Sequence, residues 1–593
     1  MKVEEFMKEK VLKSIFLSGI AILLFIVINI LISSLMFIFK VSISKYYAII
    51  SLFLSIGIVL LLAKKEGLLS KKNIIYSALY ILLPIVLIFV SIYVNGKVID
   101  TSYDGNAYQK AAIGLLKNGW NPVYESSEEF DDKSDNSVFL TESGHSIWID
   151  HYARASHTYQ ANIYALTENI ESGKSINTLS IISLFLITFS LLALHFKKIV
   201  FPLFFAICAI TSSVVCSQFL TNYIDLLTYI YLLLLIVTFF YLEYSDNKVN
   251  GFILYFVCLL MLINIKFNAF AFAGLYCLGY YIYYIVRLIK GTLDKKYFWK
   301  FTFISAIGVI VGIFVIGLSV YPKNLLEEGN PFYPVYGENK VDIITAYQPA
   351  SFKDRSAPEK YFISMFSEVD NIGWWSNYEP TLKIPFIYND YEVDIIKYSD
   401  TRISGHGVIF GGIFIITIVL LIITSVFVFK KDKRLFILGT IPIAITILLI
   451  FFLSESWWAR YFPQTYFLVL IVIFYLYKLK NNTTLVLLAM LTTLLLYNNF
   501  ITFKEAVNYA YEFKSDINNQ FSQIRNSLDK NDKLSIAAPA YVGALYNTID
   551  IFRDYNVEIV NPDGDLSDYN LAFSNQVYWK VDSEEESDNI TKE

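Results

Sequence analysis

Four ionisable residues at the ends of apolar runs could act together on a phosphate and a hydroxyl. Asp104 lies in "TSYDGNAYQKAAIGLLKNGWNP", just after a long apolar run, and Asp225 opens another in "SQFLTNYIDLL". Lys266 occupies the tight turn "INIKFNAF", and Arg460 follows two tryptophans in "SESWWARYFPQ". A carboxylate at a lipid-water boundary can take a proton from a hydroxyl, and lysine and arginine are natural partners of phosphate. Each residue also has a structural reading. Asp is a favoured N-cap, which suits Asp104 before its helix and Asp225 before its span, and Trp457 with Trp458 suits an aromatic belt.

The elements that must carry these residues are membrane spans. Hydrophobic residues make up 55% of the 593 and charged residues only 17%, the profile of a membrane protein. A net charge of -4 gives no reason to expect a nucleic-acid partner. Cys208, Cys216, Cys258 and Cys277 all fall in apolar runs, so the polar loops hold no thiol for a disulfide. Crossing a bilayer as a helix takes roughly 20 apolar residues, and such runs predict about thirteen spans. They are placed at 15–39, 46–63, 74–94, 179–196, 199–216, 226–244, 251–265, 270–286, 301–320, 407–429, 435–453, 461–477 and 485–501. The first run is too long for a signal peptide and is expected to stay in the membrane.

Lysine and arginine accumulate in cytoplasmic loops. Lys2, Lys8, Lys10 and Lys13, "KKEGLLSKK", Lys197 and Lys198, the 287–300 segment, "KKDKR", and Lys478 with Lys480 fall on one side of the alternation. The chain is therefore expected to be a multi-pass cell-membrane protein with a cytoplasmic N-terminus. The long loops 95–177 and 321–406 and the C-terminus are expected outside. Residues 1–73 read as a two-helix membrane extension, 74–501 as the main membrane domain, and 502–593 as a small extracytoplasmic α/β domain. Within that last part "FKEAVNYAYEFKSDINNQFSQIRNSL" is helical, and "KLSIAA" and "VEIV" are strand-like around another helix.

After Tyr108, the residues Ala111, Ala112, Leu115 and Leu116 recur at helical spacing while Gln109, Lys110 and Lys117 face away, which predicts a helix along the membrane surface closed by Gly119 and Pro122. His145, His151 and His157 are evenly spaced, but a six-residue step does not stack on one helix face and matches no familiar zinc pattern. His151, beside Tyr152, is the better candidate for a sugar or phosphate contact. Asp400 and Arg402 read as an ordinary surface pair.

The two acids and two bases share one face and one depth, which suits a polyprenyl-phosphate sugar and an acceptor hydroxyl. The layout resembles the GT-C membrane glycosyltransferases, particularly bacterial members that use polyprenyl-phosphate sugars. The likeness runs from the third span to the thirteenth, through "SYDGNAYQ", "GWNP", "IDHYARASHTYQANIYALTENIESGKSIN", "NYIDL", "INIKFNAF", "GNPFYP", "DTRISGHGVIFGG" and "WWARYFPQ". It implies an all-α polytopic fold and inverting transfer of a sugar to an envelope glycan, lipid or protein. Asp104 is similar to the loop carboxylate that acts as base, with Asp100 its nearest rival. Arg460 resembles the residue that binds donor phosphate, with Lys266 a second contact, while Tyr108, Tyr152, His151 and Trp457 would meet sugar or acceptor. Asp225 is similar to the second acid, which in some members helps bind a divalent metal, Mg or Mn; the paired D-x-D form is absent here. The rival classes are a secondary transporter or flippase of envelope precursors and a non-catalytic envelope assembly protein. Span interiors with almost no charge argue against the transporter.

Overall fold

The computed structural model describes residues 2–69, 74–135, 137–342, 344–529 and 532–582. Lys71 and Lys72 of "KKEGLLSKK" and the acidic tail from 583 lie outside the described residues. Eleven helices among the described residues are long and apolar enough to cross a bilayer, from Met7–Ile38 to Asn482–Asn526. Two further apolar helices, Val200–Ile210 and Thr465–Leu479, are shorter. They stand where the fifth and twelfth spans were expected. The fifth run breaks because Thr211 turns its hydroxyl back to the Ile207 carbonyl at 2.9 Å, and Ser212, in extended backbone, caps a new short helix, Ser213–Gln218. The twelfth starts late because Pro463 interrupts the amide ladder before Thr465.

The first helix is not a peripheral addition. Its most apolar stretch is 78% buried, packed against the helix that ends at Phe196. Charged ends hold one face of the bundle together. Lys13 meets Glu66 at 3.3 Å, Arg287 meets Glu243 at 2.7 Å, Arg434 Nε donates to Glu243 at 2.6 Å, and Lys478 meets Asp432 at 3.0 Å. The candidate site lies at the opposite ends of these helices.

The helix Asn482–Asn526 is continuous over 45 residues, so a boundary drawn at 501/502 falls inside it. It carries the chain from the bundle into a four-stranded sheet of order β2-β1-β4-β3, formed by β1 (Lys533–Ala537), β2 (Asn556–Ile559), β3 (Asn570–Ala572) and β4 (Val577–Asp582). β1 and β2 flank the helix Val542–Ile551, as the pattern of apolar runs predicts, and pair in parallel; β4 pairs antiparallel with β1 and β3.

This sheet shares one hydrophobic core with the first long loop. Leu115, Leu116, Trp120 and Ile149 are buried with Phe521, Leu534, Ile536, Leu545 and Phe552. Gly114 allows the contact: a Cβ there would lie 2.2 Å from the Tyr546 ring. The helix Lys110–Asn118 therefore does not lie with a wet face along the membrane. Lys110 and Gln109, expected to face water, are 0% and 3% exposed. The compensating groups come from far away in the chain, where helical periodicity cannot reveal them. Lys110 Nζ donates to Glu171 at 2.6 Å, Asn547 at 2.5 Å and Asn106 at 2.8 Å, and Glu171 also accepts from Lys174.

Breaking one partner of a buried ion pair leaves an uncompensated charge at a cost of about 3–5 kcal/mol. Glu171→Gln is expected to loosen the sheet from the loop, seen as a lower melting temperature and faster amide exchange in β1. Unchanged exchange would contradict this docking.

A second contact across the same interface is pH-sensitive. Asp550 accepts from Tyr164 Oη at 2.7 Å and from the Ile170 amide at 2.9 Å, with Arg553 and Lys117 nearby. Burial pushes its carboxyl from the ordinary 3.8 up to about 6. The folded state then holds a proton that the unfolded chain releases, so this group's contribution is full below 3.8 and is lost as pH rises through about 6. Melting temperature is expected to fall between those limits more steeply in the wild type than in Asp550→Asn. Equal slopes would contradict the assignment.

Candidate active site

Asp104 stands at the head of a wide helical turn, Gly105–Gln109, and its side chain does not cap that turn. The carboxylate turns away and accepts from Arg460 Nη2 at 2.9 Å. Asp100 builds the turn behind it. Fully buried, it accepts from the Ser102 amide at 2.8 Å, the Asn222 amide at 2.9 Å and Asn222 Nδ2 at 2.7 Å. A Cβ at Gly105 would lie 1.9 Å from Asp100 Oδ2, so only glycine allows this closure. Asp100 is thus a clamp between two loops, with its oxygens already occupied. It is not placed to accept a substrate proton.

Asp225 is also not a cap. It lies in the first turn of Asp225–Tyr244, with Ile224 at the cap position, and its oxygens meet Lys266 Nζ at 2.7 Å and Arg460 Nε at 3.1 Å. Lys266 is the single extended residue between Lys248–Ile265 and Phe267–Ile289, which holds it at the ends of two helices. Its ammonium stands 4.1 Å from the centre of the Tyr461 ring.

Arg460 is the hub. Besides donating to Asp104 and lying in ion-pair contact with Asp225, it donates from Nη1 to Asp400 at 2.5 Å, and its guanidinium lies 4.4 Å from the Tyr223 ring and 5.1 Å from Tyr461. Arg402 approaches Asp400 at 3.6 Å. Three carboxylates therefore face three cations: Asp104, Asp225 and Asp400 against Arg460, Lys266 and Arg402. The cluster is graded in depth. Asp225 is 1% exposed at its side chain, whereas Asp104 and Asp400 keep 15% and 25% and open the cluster to solvent. Burial opposes the charge on Arg460, but the carboxylates, Asp225 first, outweigh it and hold the guanidinium well above its ordinary range. Burial raises the Asp400 carboxyl, with Arg460 pulling the other way.

Of the other expected contacts, Tyr108 and Tyr152 are at the cluster. Burial and the Asp104 charge push the Tyr108 phenol well above its ordinary range, and Tyr152 sits within the field of Lys266, Asp225 and Arg460. His151 is not brought in: its Nδ1 pairs with Asn324 Oδ1 at 2.9 Å. His145 bonds the Ala540 carbonyl at 3.0 Å and His157 bonds Gln109, so the three histidines diverge. Burial and then Arg154 lower His157 to about 3, keeping it neutral. Trp457 and Trp458 form no lipid-facing belt. They are 3% and 2% exposed and stacked on each other with centroids 5.4 Å apart, and the Trp458 ring lies 5.3 Å from the Arg460 guanidinium.

The residues do not fit the divalent metal implied at Asp225. Among the described residues no group of three or more His, Cys, Asp or Glu is placed to hold an ion, and the three carboxylates here converge on Arg460. Asp400 is the acid that sequence reasoning assigned to a surface pair; the available signal was its nearness to the apolar run beginning at 407. Comparison with family models, with curated proteins and with solved structures finds no match for this chain.

Proposed function

We propose that this chain is a multi-pass membrane glycosyltransferase that moves a sugar from a polyprenyl phosphate to an envelope acceptor. The observation that carries this reading is the meeting of Asp104, Asp225 and Asp400 on one guanidinium, from four distant segments, at the ends of membrane helices. A charge cluster at that depth can engage the phosphate of a lipid whose tail stays in the bilayer, and its open edge faces water where a polar acceptor arrives.

Arg460 is already shared among carboxylates, so a donor phosphodiester would enter by exchange. Asp104 and Asp400, the exposed partners, are the ones a phosphate can displace, while Asp225 stays locked to Lys266. Asp104, released from Arg460, takes the proton of the acceptor hydroxyl as its oxygen bonds to the anomeric carbon. The bond from that carbon to the phosphate oxygen breaks, its electron pair leaves on polyprenyl phosphate, and configuration inverts. Arg460 stabilises the charge gathering on the leaving phosphate.

Thirteen crossings, a GT-C-like layout and an extracytoplasmic site belong to the same proposal. The ends of one of the two short helices support a crossing there: Arg460 precedes Thr465–Leu479 and Lys478, in its last turn, meets Asp432. Lysine and arginine excess on the face opposite the site supports an outward orientation for the site and the C-terminus.

The test is incubation of purified protein with polyprenyl-phosphate hexoses and pentoses, following donor loss and product anomer by NMR. Inverted product from one donor is expected. No donor loss with any of them, or retained configuration, would contradict the proposal.

A further inference from the structure

We infer that the acceptor is a glycan, and that one of its pyranose rings binds on an aromatic rim over Asp104 to which the C-terminal sheet domain contributes Tyr541. The inference rests on the transferase reading above and decides among the acceptor classes that reading leaves open. Three separate parts of the chain build the rim. Tyr103, next to Asp104 in the first long loop, meets Tyr541 edge-on with ring centres 5.5 Å apart. Tyr347 and Trp375 of the second long loop meet at 6.2 Å and 86°. Burial raises the phenols of Tyr103, Tyr347 and Tyr541, with the Asp104 charge adding to it, and contacts tie the second pair to the cluster: Tyr347 lies 6.1 Å from the Trp458 ring, which stands 5.3 Å from the Arg460 guanidinium that pairs with Asp104.

These rings are open to a ligand: Tyr103 is 46% exposed, Tyr347 36% and Trp375 53%. They are also held in place. Tyr541 follows Ala540, whose carbonyl pairs with His145 at 3.0 Å, and precedes Gly543, where a Cβ would come within 2.7 Å of the Asn106 carbonyl. Arg402 lies 4.5 Å from the Trp375 ring and 5.1 Å from Tyr347, fixing a cation between them.

Flat apolar rings interleaved with Asp104, Asp400 and Arg402 match a pyranose, which has a C–H face for the rings and hydroxyls around its edge. An acyl or prenyl chain would take the exposed edges of those charges out of water while offering them no hydrogen bonds in return. The two edge-on ring pairs of the rim suit a rigid ring that loses little freedom on binding.

Equilibrium binding of fluorescein-labelled linear glucan, galactan and mannan oligomers to the full chain, without donor, tests the inference. At least one is expected to bind. Tyr541→Ala and Trp375→Ala are each expected to weaken it about tenfold, Tyr541→Phe to retain it, and Tyr511→Ala, on an exposed tyrosine of the long helix, to leave it unchanged. Binding of none of the oligomers, or equal binding by the two alanine variants, would overturn the rim. If donor is consumed in an Asp104-dependent way while those variants bind normally, the rim falls and the transferase reading stands. If oligomers bind as expected but no donor is ever consumed, the transferase reading falls instead.

Discussion

Arg460→Met is expected to destabilise the protein by about 3–5 kcal/mol, because truncating one side of a buried ion cluster leaves the other side unpaired. Three carboxylates lose their shared partner at once, and Asp225, 1% exposed, keeps only Lys266. Asp104 and Asp400 would then repel each other. The variant is expected to melt well below wild type in detergent and to have no measurable transfer. Lysine does not replace the arginine, since a single ammonium cannot present separate N–H groups to Asp104 and Asp400 while keeping its charge against Asp225. A double variant with Asp104→Asn removes one of the stranded charges, and partial recovery of melting temperature is expected from it. A wild-type melting temperature for Arg460→Met would show that the cluster contributes little to the fold.

Asp104→Asn is expected to act in the opposite sense, sparing the fold and removing the chemistry proposed for it. Asparagine keeps an oxygen that can accept from Arg460, and the side chain is 15% exposed, so little stability is at stake. What is lost is the proton acceptor. A positioned general base contributes on the order of a hundred- to ten-thousandfold, and transfer is expected to fall by that range while donor still binds. Asp100→Asn provides the contrast. It weakens three hydrogen bonds that close the turn behind Asp104, so melting temperature and transfer are expected to drop together. If Asp100→Asn abolished transfer without touching stability, the roles of the two acids would have to be exchanged.

The candidate site was legible wherever a charged residue stands at the edge of an apolar run. Asp104, Asp225, Lys266 and Arg460 each have their depth and side fixed by the helix that begins or ends beside them, and the four do meet. Asp400 was not legible in the same way, because the loop 321–406 has no periodicity to place it. A cap was the structural reading of Asp104 and Asp225 because Asp is a common cap, and local propensity gave way to a distant cation in both places. Lys110 shows the same limit: its partner Asn547 lies 437 residues along the chain, and a lysine on a helix reads as a wet face until that partner is known. The two strands at "KLSIAA" and "VEIV" were readable as short strand-like pieces around a helix, whereas β3, only three residues long, is too short to show any alternation.

The most direct measurement is single-turnover donor consumption in proteoliposomes, comparing wild type with Asp104→Asn at equal amounts of folded protein. Loss of sugar from its polyprenyl phosphate in the wild type, slowed at least about a hundredfold in the variant with donor binding retained, is the predicted result. Equal rates in the two proteins would contradict the account.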